Sequence, residues 1–290
     1  MRILRVFSVL STKGGVGKTT TTANLGGLLA DAGFSVLLID ADSQPSLSSY
    51  FQLRHKAPGG FYELIALSET SPDRVISRTV IDGLDIVVSN DYQGQLPQLL
   101  LNAPDGRFRL SQLLRQGPLA EYDVILIDTQ GARSITLEAA VLASDHALSP
   151  ITADLLSARE FVRGTIGMYD DLETLSQYSS LSVPPLFLLL NRLDETRNSQ
   201  DLAMSLRSMY ARDGRVSVMD SAFRLLAAFK MAGAAGEPIH RYEPVKPYKR
   251  VTPAGADLIK AMARELNPAW IEAIDAMPEY SRGGRGHEHH

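Results

Sequence analysis

Val6-Phe7-Ser8-Val9-Leu10-Ser11-Thr12-Lys13-Gly14-Gly15-Val16-Gly17-Lys18-Thr19-Thr20 reads as a short apolar strand, a glycine- and lysine-rich loop and the first residues of a helix. That order is the context a phosphate-binding loop requires. Glycines at 14, 15 and 17 let the backbone curl until successive amide protons face an anion, and the following helix points the positive end of its dipole at the same phosphates. Lys18 is placed to reach the β- and γ-phosphates of a nucleotide, and Thr19 to offer its hydroxyl to magnesium. Gly14, Gly15, Val16, Gly17 and Thr20 complete the expected cradle.

Outward from this loop, β-branched and leucine-rich runs at 6–10, 35–39, 84–88, 123–127, 146–149 and 186–190 read as strands buried on both faces, which suits a parallel sheet. Between them, 19–32, 107–116, 135–143, 158–176 and 199–212 have helical length and composition. The alternation predicts an α/β fold, a mostly parallel, doubly wound sheet with helices on both faces. One domain is expected over 1–277, ending in a helix over 253–277 interrupted near Pro268, because proline lacks an amide proton and clashes with the preceding turn. Residues 278–290, rich in glycine, charge and histidine, read as a structureless tail.

The general loop pattern G-x-x-x-x-G-K-[ST] fails at its first position, which is Thr12, and a lysine stands beside it. From Lys13 to Thr19 the chain resembles instead the deviant box K-G-G-x-G-K-[ST] of the ParA/MinD/nitrogenase-iron-protein family of P-loop ATPases. The resemblance implies an ATP-bound homodimer in which Lys13 crosses the interface to the partner's phosphates, so that hydrolysis requires dimerisation. A lysine given in trans neutralises charge built up during phosphoryl transfer, as an arginine finger does.

Asp40-Ala41-Asp42-Ser43-Gln44-Pro45 resembles the family's D-x-D-P-Q segment, with Ser43 where proline is usual. By that resemblance Asp42 orients or deprotonates the attacking water and stands near the metal; the two aspartates could instead cap a helix beginning near Ser46. Residues 122–129 form a buried strand that delivers Asp128 at its C-terminal edge, where α/β sheets bind ligands, and this carboxylate is expected to hold magnesium. The family follows it with Thr-Pro or paired prolines, whereas Thr129-Gln130-Gly131 stands here. Asn191-Arg192-Leu193-Asp194 resembles the segment that meets the adenine base, and Asn191 can donate to and accept from a purine edge; a turn-forming asparagine is the alternative. Gly236-Glu237-Pro238-Ile239 before a long terminal helix resembles the ParA C-terminal layout. The expected cofactors are ATP and Mg2+.

With no cysteine in 290 residues, disulfides and thiolate metal sites are excluded, and with them the iron-protein and arsenite-pump branches. A net charge of -4 excludes a chain that coats nucleic acid with its whole surface. Nothing approaches a membrane span, and residues 261–277 lack the basic polar face of a MinD-like anchor. Positive charge gathers locally at Arg207, Arg212, Arg215, Arg224, Arg241, Lys246, Lys249 and Arg250, a candidate patch for nonspecific DNA, unless these are solvated charges pairing with neighbours such as Asp213 and Glu243. His287, His289 and His290 read as a solvated or tag-like terminus. The expectation is a cytoplasmic, nucleoid-associated ParA-like partition ATPase with a ParB-like centromere-binding partner; the alternative is a MinD-like positioning ATPase acting on a membrane or a protein assembly.

Overall fold

The protein is described by a computed structural model covering residues 4–177, 182–278 and 280. Nine strands, β1 (Arg5–Val9), β2 (Val36–Asp40), β3 (Leu53–His55), β4 (Ser77–Thr79), β5 (Leu84–Val87), β6 (Val124–Asp128), β7 (His146–Thr152), β8 (Leu186–Leu193) and β9 (Val216–Arg224), form one sheet. Their order is β3-β4-β5-β2-β6-β1-β7-β8-β9. From β5 to β9 every pairing is parallel; β4 runs antiparallel to both β5 and β3.

Every residue of β2 and β6 is buried, as expected of strands covered on both faces. Alternate residues feed opposite cores. Leu38 and Leu126 join Phe7 and Val9 in the layer under helices Lys18–Asp31 and Gly255–Leu266, while Leu37, Ile39, Ile125 and Ile127 pack under Phe61–Ala66, Arg109–Leu114 and Ile135–Leu142. A third cluster seats Gly167–Ser176 and Arg197–Tyr210 against β7 and β8. The doubly wound α/β class read from the sequence is the fold observed.

Three strands escaped the sequence pattern. β3 and β4 have three residues each, too few to show a period. β9, at the sheet edge, buries only Val216, Met219 and Phe223 and carries Asp220 and Ser221, so it shows neither the apolar run of a central strand nor a two-residue alternation. The helix expected over 158–176 begins at Leu155 and passes through a π-helical stretch, Phe161–Ile166, before Gly167–Ser176. No helix begins at Ser46; residues 46–50 are turns, and Asp40 instead accepts from the Ser48 amide at 2.7 Å and its hydroxyl at 2.6 Å. The terminal helix breaks where proline predicts, into Gly255–Leu266, Pro268–Trp270 and Ile271–Asp275.

Tyr280 lies in the stretch expected to be structureless, yet its hydroxyl donates to Asp31 at 2.8 Å, beside His240 at 2.7 Å and Arg241 at 2.6 Å. The other residues of that stretch, apart from Pro278, lie outside the described residues, and the terminal histidines with them.

Candidate functional site

The loop after β1 opens at the C-terminal edge of the sheet, where β1, β2, β6 and β8 end together. Gly15 and Gly17 take φ of +74° and +99°, the left-handed region that an L side chain resists. Gly17 is required for a second reason: a Cβ there would lie 2.2 Å from Asn191 Nδ2. That amide donates to the Val16 carbonyl at 2.7 Å, and Asn191 Oδ1 accepts from the Arg192 amide at 2.8 Å. Asn191 therefore ties the end of β8 to the phosphate loop, leaving one amide hydrogen and one lone pair for any other partner. Val16, 1% exposed, anchors the loop in the core.

Lys18 is buried, which lowers its pKa, while the nearby carboxylates of Asp128 and Asp42 oppose that shift. Thr19 donates to Asp128 Oδ2 at 2.6 Å. Asp128 and Asp40 stand opposite each other in the β2–β6 register, both fully buried. Burial pushes Asp128 up to about 7 and Asp40 up to about 6, each partly relieved by hydroxyl donors. The buried Asp128 carboxylate, the Thr19 hydroxyl on it and Asp42 lining the same cleft as Thr19 are hard oxygen donors, so these three fit magnesium.

Asp42, Ser43 and Gln44, in the loop after β2 (the first switch), face Gly14, Gly15, Gly17, Lys18, Thr19 and Thr20 across a cleft of about 660 Å³, closed on another side by Gln130, Gly131 and Ala132, in the loop after β6 (the second switch). Glycine at 131 has a steric basis. A Cβ at Gly131 would lie 2.7 Å from Gly14 Cα and 2.9 Å from Gly14 N, so the second switch lies directly against the phosphate loop.

The cleft continues into a pocket of about 470 Å³ lined by Gly17, Thr20, Asn191 and by Phe223, Leu226 and Phe229. Of these, Gly17, Thr20 and Asn191 were expected from the sequence, Asn191 alone as a contact of the base. The aromatic wall comes from the end of β9 and the helix Ala227–Ala235, which carry no motif. Arg192 was quoted in the sequence without a role; it has φ +55° and borders this pocket, the phosphate cleft and a third cleft beyond Asp154.

Lys13 does not line the phosphate cleft. Its Nζ donates to Ser157 Oγ at 2.6 Å and lies 3.8 Å from Asp154 Oδ1. Around that dock Leu155, Leu156 and Val162 are 56%, 71% and 44% exposed.

The cationic group in the C-terminal third is largely consumed internally. Arg215 pairs with Asp170 and Glu173, Arg224 with Glu195, Arg241 with Asp31 and Arg250 with Glu243, while Arg207 reaches the Met219 and Asp220 carbonyls. Arg212, Lys246 and Lys249 make no ion pair among the described residues and are exposed.

Residues 4–174 match the AAA_31 family, an AAA domain. The chromosome partitioning protein ParA of Caulobacter vibrioides is 30% identical over 199 residues, covering 60% of this chain and 73% of that protein. Among solved structures, an ATP complex of a McdA variant from Cyanothece superposes with a TM-score of 0.74 at 22% identity, over 95% of this chain and 98% of that one. The septum site-determining protein MinD of Pyrococcus horikoshii, complexed with Mg-ADP, gives 0.66 at 20% identity, over 93% and 99%. More than half of the chain falls within the matched family, and it belongs to the AAA_31 family as a ParA/MinD-like P-loop ATPase.

Proposed function

We propose that this ATPase is a ParA-like partition ATPase: it dimerises on ATP, the dimer holds nonspecific DNA, and hydrolysis stimulated by a ParB-like partner releases it to segregate or position a plasmid, integrated element or chromosome. The observation that carries the dimer is Lys13, whose ammonium lies outside its own phosphate cleft, docked on Ser157 Oγ beside Asp154. Released from that dock, it would reach a second copy's phosphates. Lys18 and the amides of residues 14–20 would bind the triphosphate, and Asn191 with Phe223 and Phe229 would flank the base. Asp42 would orient the attacking water. Asp128, Thr19 and Asp42 would hold Mg2+, which would offset negative charge on the phosphates.

The helix Gly255–Leu266 is not itself available as a membrane anchor of the MinD kind. Its apolar face, Leu258, Ile259, Met262, Ala263 and Leu266, with Trp270 and Ile274 beyond it, is already spent in the core. Among the described residues no helix is long and apolar enough to cross a bilayer.

The test is binding to random-sequence duplex DNA with ADP or a nonhydrolysable ATP analogue across salt concentrations. Binding with the analogue alone, falling steeply with salt, supports the reading. Reversing Arg212, Lys246 and Lys249 should abolish it, whereas Arg241 and Arg250, locked in ion pairs, should matter through stability. Absence of binding at low salt with either nucleotide would refute the DNA step and leave a positioning ATPase that acts on a protein assembly or a membrane. Lys13→Gln should end hydrolysis while sparing the fold; normal turnover by that variant would refute the cross-dimer lysine.

A further inference from the structure

The residue after Asp128-Thr129 is glutamine where the family has proline, and the structure gives that glutamine a position of its own. Thr129 donates to the Val9 carbonyl at 3.0 Å, pinning the segment to the sheet edge. One residue later, Gly131 lies against the Gly14 backbone. Gln130 is thereby held between two spaces: it lines the phosphate cleft with Lys18 and Asp42, and also a smaller cavity of about 170 Å³ shared with Asp42, Ser43 and Thr136.

Two polar groups at this place have no hydrogen-bond partner among the described residues. The half-buried Gln130 carboxamide has no hydrogen-bond partner among the described residues, and the hydroxyl of Thr136, 5% exposed, has none either. An unpartnered buried hydroxyl, a free amide and a carboxylate around one small cavity are a setting for ordered water, which takes two to four such partners.

We propose that Gln130, which lines the same phosphate cleft as Lys18 and Asp42, is the water-positioning residue of ATP hydrolysis. The inference rests on the hydrolytic reading of the site. Gln130 Oε1 accepts a hydrogen bond from the attacking water, and Nε2 donates to a γ-phosphate oxygen, so one planar group fixes both reactants. The water oxygen forms a bond to the γ-phosphorus as the bond to the β,γ-bridging oxygen breaks. The water's proton passes to Asp42 or to a phosphate oxygen, and the products are ADP and inorganic phosphate.

The test compares the full chain and Gln130→Ala in Mg2+ with ADP plus beryllium fluoride, which mimics the ground state, and ADP plus aluminium fluoride, which needs a positioned water. Wild type should retain both complexes. The variant should bind the beryllium complex within about twofold and melt like wild type, but hold the aluminium complex at least about tenfold more weakly, with kcat lowered about 10²-fold and KM nearly unchanged. Aluminium fluoride capture equal to wild type, or equal losses of both complexes with a lowered melting temperature, would overturn the role. If wild type captures neither complex and does not hydrolyse ATP, the hydrolytic reading itself falls and takes this role with it.

Discussion

Gly131→Ala tests whether the second switch truly rests on the phosphate loop. Its φ is not positive, so alanine brings no backbone strain and the whole effect is steric. The new methyl would stand 2.7 Å from Gly14 Cα, 2.9 Å from Gly14 N and 3.3 Å from the Lys13 carbonyl carbon. Ordinary carbon contacts are about 3.5–4.0 Å, so the two backbones must part by about 0.8–1.3 Å. Neither neighbour is the tip of a flexible side chain that could swing away.

If the loop stays closed, overpacking costs about 1–3 kcal/mol, a fall of roughly 2–12 °C in melting temperature for a chain of this size. If the second switch lifts, stability recovers and the cleft loosens; a displacement of about 1 Å at a reacting centre can lower turnover about 10²-fold. Thermal melting with and without ATP analogue, together with steady-state hydrolysis, reads both branches. Gly167→Ala is the control. It opens the helix Gly167–Ser176 with nothing within 4 Å of its added carbon, so alanine should stabilise by up to about 1 kcal/mol. A Gly131→Ala protein that melts and turns over as wild type would refute the contact.

The Asp31 cluster should make the fold acid-sensitive. Burial works against the Asp31 carboxylate, but hydrogen bonds from His240, Arg241 and Tyr280 hold it well below the usual range; burial also lowers His240, with Asp31 opposing. Both folded-state values are depressed, so the unfolded chain binds more protons in acid. The His240 share of stability is present above about pH 6.5 and lost as pH falls, and the Asp31 share goes below about pH 4. Melting curves from pH 8 to 4 should show that decline. Asp31→Asn should cost about 3 kcal/mol at pH 7, the low end for a broken buried pair because Arg241 is 33% exposed. Asn191→Ala removes the tie to Val16, worth about 1 kcal/mol, and should weaken ATP and GTP binding alike by about fivefold in equilibrium titration; loss confined to ATP would show Asn191 reading the base.

The phosphate loop was legible because its parts are contiguous: the glycines, Lys18 and Thr19 lie within one turn of chain, and the strand before and helix after them are strongly patterned. Asp128 was legible as an acid ending a buried strand and Asp42 through its resemblance to the D-x-D-P-Q segment, and the structure brings both to the loop. The doubly wound class followed from the same alternation. What a lysine or arginine is free to do was not legible, because charge on a residue says nothing of its neighbours. The dock for Lys13 lies on a helix start far along the chain, and the partners of Arg215 and Arg241 are Asp170 and Asp31, from elements distant in sequence. The Gly131 approach to Gly14 was equally hidden, since it depends on how two strand-end loops pack. Local pattern fixes which segments become strands, helices and anion-binding turns, because those depend on backbone preference and the period of apolar residues. Which polar groups meet, and which are left open to a ligand, depends on long-range packing, and only the folded chain could decide that.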